Sequence, residues 1–164
     1  MKLVGLNGTT IFPIANGRIS QYFSAGIFPY QWTWRPRKWK QALGLMPKEP
    51  YILTGFSAGA TLCHNIGAVD ENCKGIMVHS GLFSPPVKVR TRLPVLLLNT
   101  ESDFFDAVVT QTEIAYDWYY SRCYRNLTGI ILPRTTWHGH EYANGLDTME
   151  EWCETQFNYK LPRM

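Results

Sequence analysis

The sequence predicts an α/β fold, a three-layer sandwich whose mostly parallel central sheet is covered by helices on both faces. Three observations carry this expectation. Residues 51–54, 75–79 and 93–99 are short, continuous apolar runs, the pattern of parallel strands buried on both faces. Residues 58–69, 106–122 and 146–157 repeat apolar residues at helical spacing. Strands and helices therefore alternate along the chain, which implies parallel pairing through right-handed crossovers.

Each element follows from local chemistry. Residues 3–6 are a short apolar strand, closed by the turn signal Asn7, Gly8, Thr9, Thr10. Residues 11–36 show no clear next strand. They hold Asn16 and Gly17 between apolar segments, a hairpin signal, and then the aromatics Phe12, Tyr22, Phe23, Phe28, Tyr30, Trp32 and Trp34, which suit core, a pocket wall or a partner surface. A small helix over residues 37–45 leads through Pro47 and Pro50 to the central strand at 51–54. In the helix that follows, Ala58, Leu62, Ile66 and Val69 fall on one face. Strands at 75–79 and 93–99 come next, then a helix over 106–122 with Val108, Thr112, Ala115, Tyr119 and Arg122 along one face. A last strand at 129–132 and a loop over 133–145 precede a final helix marked by Leu146, Met149, Cys153 and Phe157.

At 164 residues, with 45% hydrophobic and 18% charged residues, the chain fits one globular domain over 1–164 with a sizeable core. Repeats, low-complexity tracts and linkers are not visible. No run approaches the length of a membrane span, and Met1, Lys2, Leu3, Val4, Gly5 do not open a signal peptide, so a soluble cytoplasmic protein is expected. The net charge of +3 is mild. Part of it sits in Arg35, Arg37, Lys38 and Lys40, interleaved with Trp34 and Trp39. That cluster is single and short, so it reads as the solvated face of the small helix, with Trp39, Ala42 and Leu43 inward, and no nucleic-acid partner is expected. Cys63, Cys73, Cys123 and Cys153 lack paired CxxC spacing and read as free thiols in the core, without disulfide or zinc.

The chemistry is concentrated at Gly55, Phe56, Ser57, Ala58, Gly59. A Gly-x-Ser-x-Gly between a buried strand and a helix is a nucleophile elbow, which lifts the serine hydroxyl above the end of the sheet on a strained turn. Gly55 and Gly59 let strand and helix approach closely, and Ala58 offers a backbone N–H to an oxyanion. In parallel sheets catalytic groups gather at the strands' carboxyl ends. There the strand ending at Asn99 is followed by Thr100, Glu101, Ser102 and Asp103, and the last strand leads to Trp137, His138, Gly139 and His140. A serine nucleophile needs a base and an acid that holds the base, and these ends supply both.

The order Ser57, Asp103, His140 is that of α/β-hydrolases. The run from Leu53 to Gly59, Val78 to Gly81, Pro94 to Asp103 and Gly139 with His140 together resemble the carboxylesterase and acyl-protein-thioesterase-like branch of that superfamily, over about residues 50–157. The resemblance implies a minimal, open version of the fold without a lid, beginning directly on a central strand. It matches Asp103 to the acid and His140 to the histidine before the last helix. Asn7 and Gly8 stand where the family usually has His-Gly, so Gly8 and Thr9 are both candidates for the second oxyanion donor beside Ala58.

His138 and His140 are two apart, so an extended loop turns only one toward Ser57; the Gly-His-Glu pattern favours His140. Asp103 is favoured as the acid because Asp106 suits a cap for the helix beside it. Glu101 reads as a solvated carboxylate, and His64 and His79 as packing or hydrogen-bonding residues. The expected activity is hydrolysis of small carboxylic esters through an acyl-enzyme, with no cofactor or metal. The alternatives are a thioesterase, peptidase or acyltransferase with the same triad, or a binding module on a hydrolase scaffold whose interface is the aromatic 11–36 segment.

Overall fold

The computed structural model describes residues 1–6, 11–13, 39–101, 106–133 and 145–160. Its strands are β1 (Lys2–Leu6), β2 (Ile11–Pro13), β3 (Tyr51–Phe56), β4 (Cys73–His79), β5 (Val95–Thr100) and β6 (Leu127–Leu132). Its helices are α1 (Trp39–Gly44), α2 (Ala58–Val69), α3 (Asp106–Ser121) and α4 (Leu146–Phe157). The strands form one sheet in the order β2-β1-β3-β4-β5-β6. β1, β3, β4, β5 and β6 are parallel, and β2 pairs antiparallel with β1.

The three layers follow from the two-residue period of a strand. In β5, Val95 and Leu97 face a core shared with α1, α2 and α3, where they join Leu53, Ile66, Ala115 and Tyr119. Leu96 and Leu98 face the other side and pack with Met149, Trp152 and Cys153 of α4. Every residue of β5 is buried, which explains why Val95 to Leu98 are continuously apolar rather than alternating. Each such leucine contributes about 1.5–3 kcal/mol by leaving water.

Strand β2 lies within the segment that showed no next strand in the sequence, and this corrects that expectation. Three residues ending in Pro13 give little periodicity. An edge strand tolerates a proline because its outward N–H has no ladder partner to lose. The hairpin signal at Asn16 and Gly17, and the aromatics from Tyr22 to Trp34, lie outside the described residues.

Helix α2 is buried on more than the expected face. Thr61, His64 and Asn65 are buried along with Leu62 and Ile66. Asn65 earns its place by accepting the Val87 N–H at 2.9 Å. His64 Nδ1 is 2.7 Å from the Tyr119 hydroxyl, and its ring meets Phe83 edge-on, so the expected packing role holds. Burial lowers the His64 pKa from 6.5 to about 3. The unfolded chain therefore takes up this proton near pH 6.5 and the folded chain only near pH 3, so stability should be full above about pH 6.5 and fall as the pH drops. The expected loss is on the order of a few kcal/mol. Urea unfolding at pH 7.5 and pH 5 checks it: His64→Gln should have a clearly smaller difference between the two pH values, and an equal difference would contradict the assignment.

Cys63, Cys73 and Cys153 are free and buried, as expected. Burial raises the Cys73 and Cys153 thiols to about 12 and pushes Cys63 up as well, so none is a ready nucleophile. Cys123 departs from the core-packing expectation: it is exposed, in the turn after α3, with φ of 61°. Trp39 and Ala42 are buried and Leu43 packs beside them, while Lys40 is exposed. Trp34, Arg35, Arg37 and Lys38 lie outside the described residues. Among the described residues, no helix is long and apolar enough to cross a membrane.

Candidate active site

Ser57 occupies the single residue between the end of β3 at Phe56 and the start of α2 at Ala58. Its φ of 57° and ψ of −126° belong to a region that L-residues with a side chain avoid, the geometry of the first central position in a type II′ turn, where glycine is usual. Holding a serine there costs about 1–3 kcal/mol, which the surrounding structure must supply. The Ser57 side chain makes no capping hydrogen bond to α2, although serine is among the residues best suited to cap a helix. Ala58 begins α2, and backbone N–H groups in a helix's first turn have no partner within the helix, so they are available to negative charge.

Close backbone approach explains the glycine at 55. A Cβ there would lie 2.6 Å from Cys63 Sγ, 2.7 Å from Ala60 Cα and 2.9 Å from Ala60 N. Two of those neighbours are main-chain atoms that cannot swing aside. Gly59, the second glycine of the motif, is buried. From the other side the turn is buttressed by residues 79–81. The Ser57 N–H donates to the His79 carbonyl at 3.0 Å, and a Cβ on Gly81 would run into Ala60 and come 3.1 Å from the Ser57 carbonyl. Ser80 is itself strained, with φ of 52°.

A buried polar chain runs away from this buttress. The Ser80 hydroxyl donates to Asn99 Oδ1 at 3.3 Å and lies 2.8 Å from His79 Nδ1. Asn99 Oδ1 also accepts the Thr100 N–H at 2.7 Å, and Asn99 Nδ2 donates to Thr112 Oγ1 on α3 at 3.1 Å. Sequence reasoning passed over Ser80, Asn99 and Thr112. The available signal was polar residues at the ends of apolar runs, which read more simply as loop starts.

Parallel pairing brings the strand ends that matter to one edge of the sheet. Leu6 pairs with Gly55, Phe56 with His79, His79 with Leu98, and Thr100 with Leu132. The chain leaves β1 toward Gly8 and Thr9, β3 at Ser57, β5 toward Asp103, and β6 toward His138 and His140. Asn7, Gly8, Thr9, Asp103, His138 and His140 lie outside the described residues. Asp106 is the first residue of α3. Glu101 is exposed. His64 and His79 are buried, as packing and hydrogen-bonding residues should be. Among the described residues, no group of three His, Cys, Asp or Glu side chains is disposed to hold a metal.

A cavity of about 390 Å³ opens elsewhere, between α3 and β6, lined by Thr112, Glu113, Tyr116, Asp117, Gly129, Ile130 and Ile131. Its walls carry no serine, cysteine or histidine, and Ser57 is not among them.

No family model matches the sequence, and no curated protein matches it. Solved structures do. Zea mays acyl-protein thioesterase 2 superposes with a TM-score of 0.62 at 13% identity, over 94% of this chain and 92% of that one. The fold is α/β-hydrolase-like. A protein of unknown function from Agrobacterium tumefaciens gives the same TM-score at 15% identity, over 94% of this chain and 90% of that one. Esterase PE8 gives 0.54 at 22% identity over 74% of this chain, which spans 58% of the length of that enzyme. At these identities the likeness is one of fold.

Proposed function

We propose that the chain is a serine hydrolase that cleaves small carboxylic esters through an acyl-enzyme. The observation that carries this reading is Ser57, a non-glycine residue held at positive φ on the strand-to-helix turn of an α/β-hydrolase-like fold. Strain of this kind persists where the surroundings impose it, and it collects at functional sites.

In the proposed reaction His140 takes the proton from Ser57 Oγ as the oxygen attacks the ester carbonyl carbon. The oxyanion is held by the Ala58 N–H and by a second donor from Gly8 or Thr9. Asp103 orients the imidazole and stabilises the imidazolium. The imidazolium then protonates the leaving alkoxide as the carbon–oxygen bond breaks, giving the alcohol and the acyl-enzyme. Water, deprotonated by His140, attacks the acyl-enzyme and releases the acid with Ser57 restored. These steps need no cofactor.

The experiment is a rate comparison on p-nitrophenyl acetate, a matched short thioester, a matched anilide and an emulsified long-chain triglyceride. Oxygen-ester turnover should exceed that of the anilide and of the emulsified lipid. Turnover confined to the long-chain lipid would contradict the small-substrate assignment, and a rate highest on the thioester would move the assignment to a thioesterase.

A further inference from the structure

We propose that His79 is a positioning residue for the hydrolytic site, an inference that rests on Ser57 being its nucleophile. His79 ends β4 and is completely buried. Its surroundings connect it to the ends of β3 and β5 and to the start of α4.

Toward the elbow, the His79 carbonyl accepts the Ser57 N–H at 3.0 Å, and the imidazole meets the ring of Phe56 edge-on, with centroids 5.4 Å apart and planes at 66°. Toward the last helix, the imidazole edge abuts Gly145. A Cβ on that residue would lie 2.8 Å from His79 Cδ2 and 3.0 Å from Nε2, besides colliding with Leu98. Gly145 is where the chain re-enters α4 after the stretch that carries His138 and His140. Toward the acid, Nδ1 reaches the Ser80 hydroxyl at 2.8 Å, and that hydroxyl donates to Asn99, which holds the Thr100 N–H three residues before Asp103.

A hydroxyl has one proton, and Ser80 gives it to Asn99, so the Ser80 oxygen accepts from His79 Nδ1–H. The position therefore asks for a flat ring that packs like an aromatic residue and donates one hydrogen bond on a defined side. Leucine would fill part of the volume and leave the Ser80 oxygen without its donor. Phenylalanine would keep the ring and lose the same bond. The chain also holds Ser80 in its left-handed conformation, and that turn places Gly81 against Ala60 and the Ser57 carbonyl. Loosening it should tilt the nucleophile and its partners relative to one another, and errors of about 1 Å in such alignments cost on the order of 100-fold in rate.

The test uses the full chain as wild type, His79→Leu, His79→Asn, Ser80→Ala and the double variant His79→Leu/Ser80→Ala. Readouts are kcat and KM on p-nitrophenyl acetate, the labelling rate of Ser57 by a fluorophosphonate, and thermal unfolding. His79→Leu and Ser80→Ala should each lower kcat and the labelling rate by about 10- to 100-fold while KM changes less than about threefold. His79→Asn, which keeps a donor near the Nδ1 position, should recover most of the loss. The double variant should be no worse than the poorer single one, because both break the same chain. Folded His79→Leu and Ser80→Ala with wild-type kcat, or His79→Asn as impaired as His79→Leu, would overturn the proposal. Should His79→Leu fail to fold, Ser80→Ala decides by the same criterion. A wild-type chain that is not labelled at Ser57 overturns the nucleophile itself, and a labelled chain indifferent to these variants overturns only the positioning role.

Discussion

Ser57→Ala should lower the hydrolysis of short p-nitrophenyl esters by about 10⁴ to 10⁶, the usual consequence of deleting a triad nucleophile. The substitution removes one oxygen and leaves the backbone problem unchanged, because alanine tolerates φ of 57° no better than serine does. Its stability should stay within about 1 kcal/mol of wild type. Ser57→Gly separates the two contributions. Glycine adopts this conformation without strain but adds entropy to the unfolded chain, so the net effect is the strain released minus about 1 kcal/mol. The glycine variant should be as inactive as the alanine variant and equal or higher in unfolding midpoint. Wild-type turnover in Ser57→Ala would remove the serine from the mechanism. A clear loss of stability in Ser57→Gly would show that the turn is not strained.

Gly55→Ala should be among the most damaging single-methyl changes in the chain. The added carbon meets the Ala60 backbone at 2.7 and 2.9 Å and the buried Cys63 sulfur at 2.6 Å, so α2 must move away from β3. That helix is packed on nearly all sides, and overpacking such a core costs about 1–3 kcal/mol, more where main chain must shift. The expected result is a loss of about 3 kcal/mol or more in urea unfolding. In whatever protein remains folded, the esterase rate should fall by at least tenfold, because moving α2 carries the Ala58 N–H away from the oxyanion. Near-wild-type stability and activity would mean that strand and helix are not in the contact described.

Much of this fold was legible from residues 51–54, 75–79 and 93–99. A strand covered on both faces is apolar at most successive positions, so its burial is written largely into the chain. β3 and β4 proved longer than those runs, reaching Phe56 and starting at Cys73, while β5 is shifted, starting at Val95 and ending one residue later at Thr100. Polar groups that are satisfied inside the protein carry no local mark that separates them from surface residues. That is why the burial of Asn65 on α2, which accepts the Val87 N–H, left no sign in the sequence, and why the chain from His79 through Ser80 and Asn99 to Thr112 was invisible. Strand β2 escaped for another reason: three edge residues are too few for a period. In the candidate site, the elbow was readable because its glycines and serine are fixed by backbone geometry at adjacent positions. The proposed pairing of Ser57 with Asp103 and His140 depends on strands far apart in sequence, and rests on strand order and family resemblance rather than on any local pattern.

The central claim, an activated serine at position 57 with His140 as its base, is tested most directly by fluorophosphonate labelling. The adduct is to be located by mass spectrometry in wild type, His140→Ala and His138→Ala. The account predicts a single adduct on the Ser57 peptide in wild type and His138→Ala, and its loss in His140→Ala. Folded wild-type protein that carries no adduct on Ser57, or an adduct that survives His140→Ala, would contradict it.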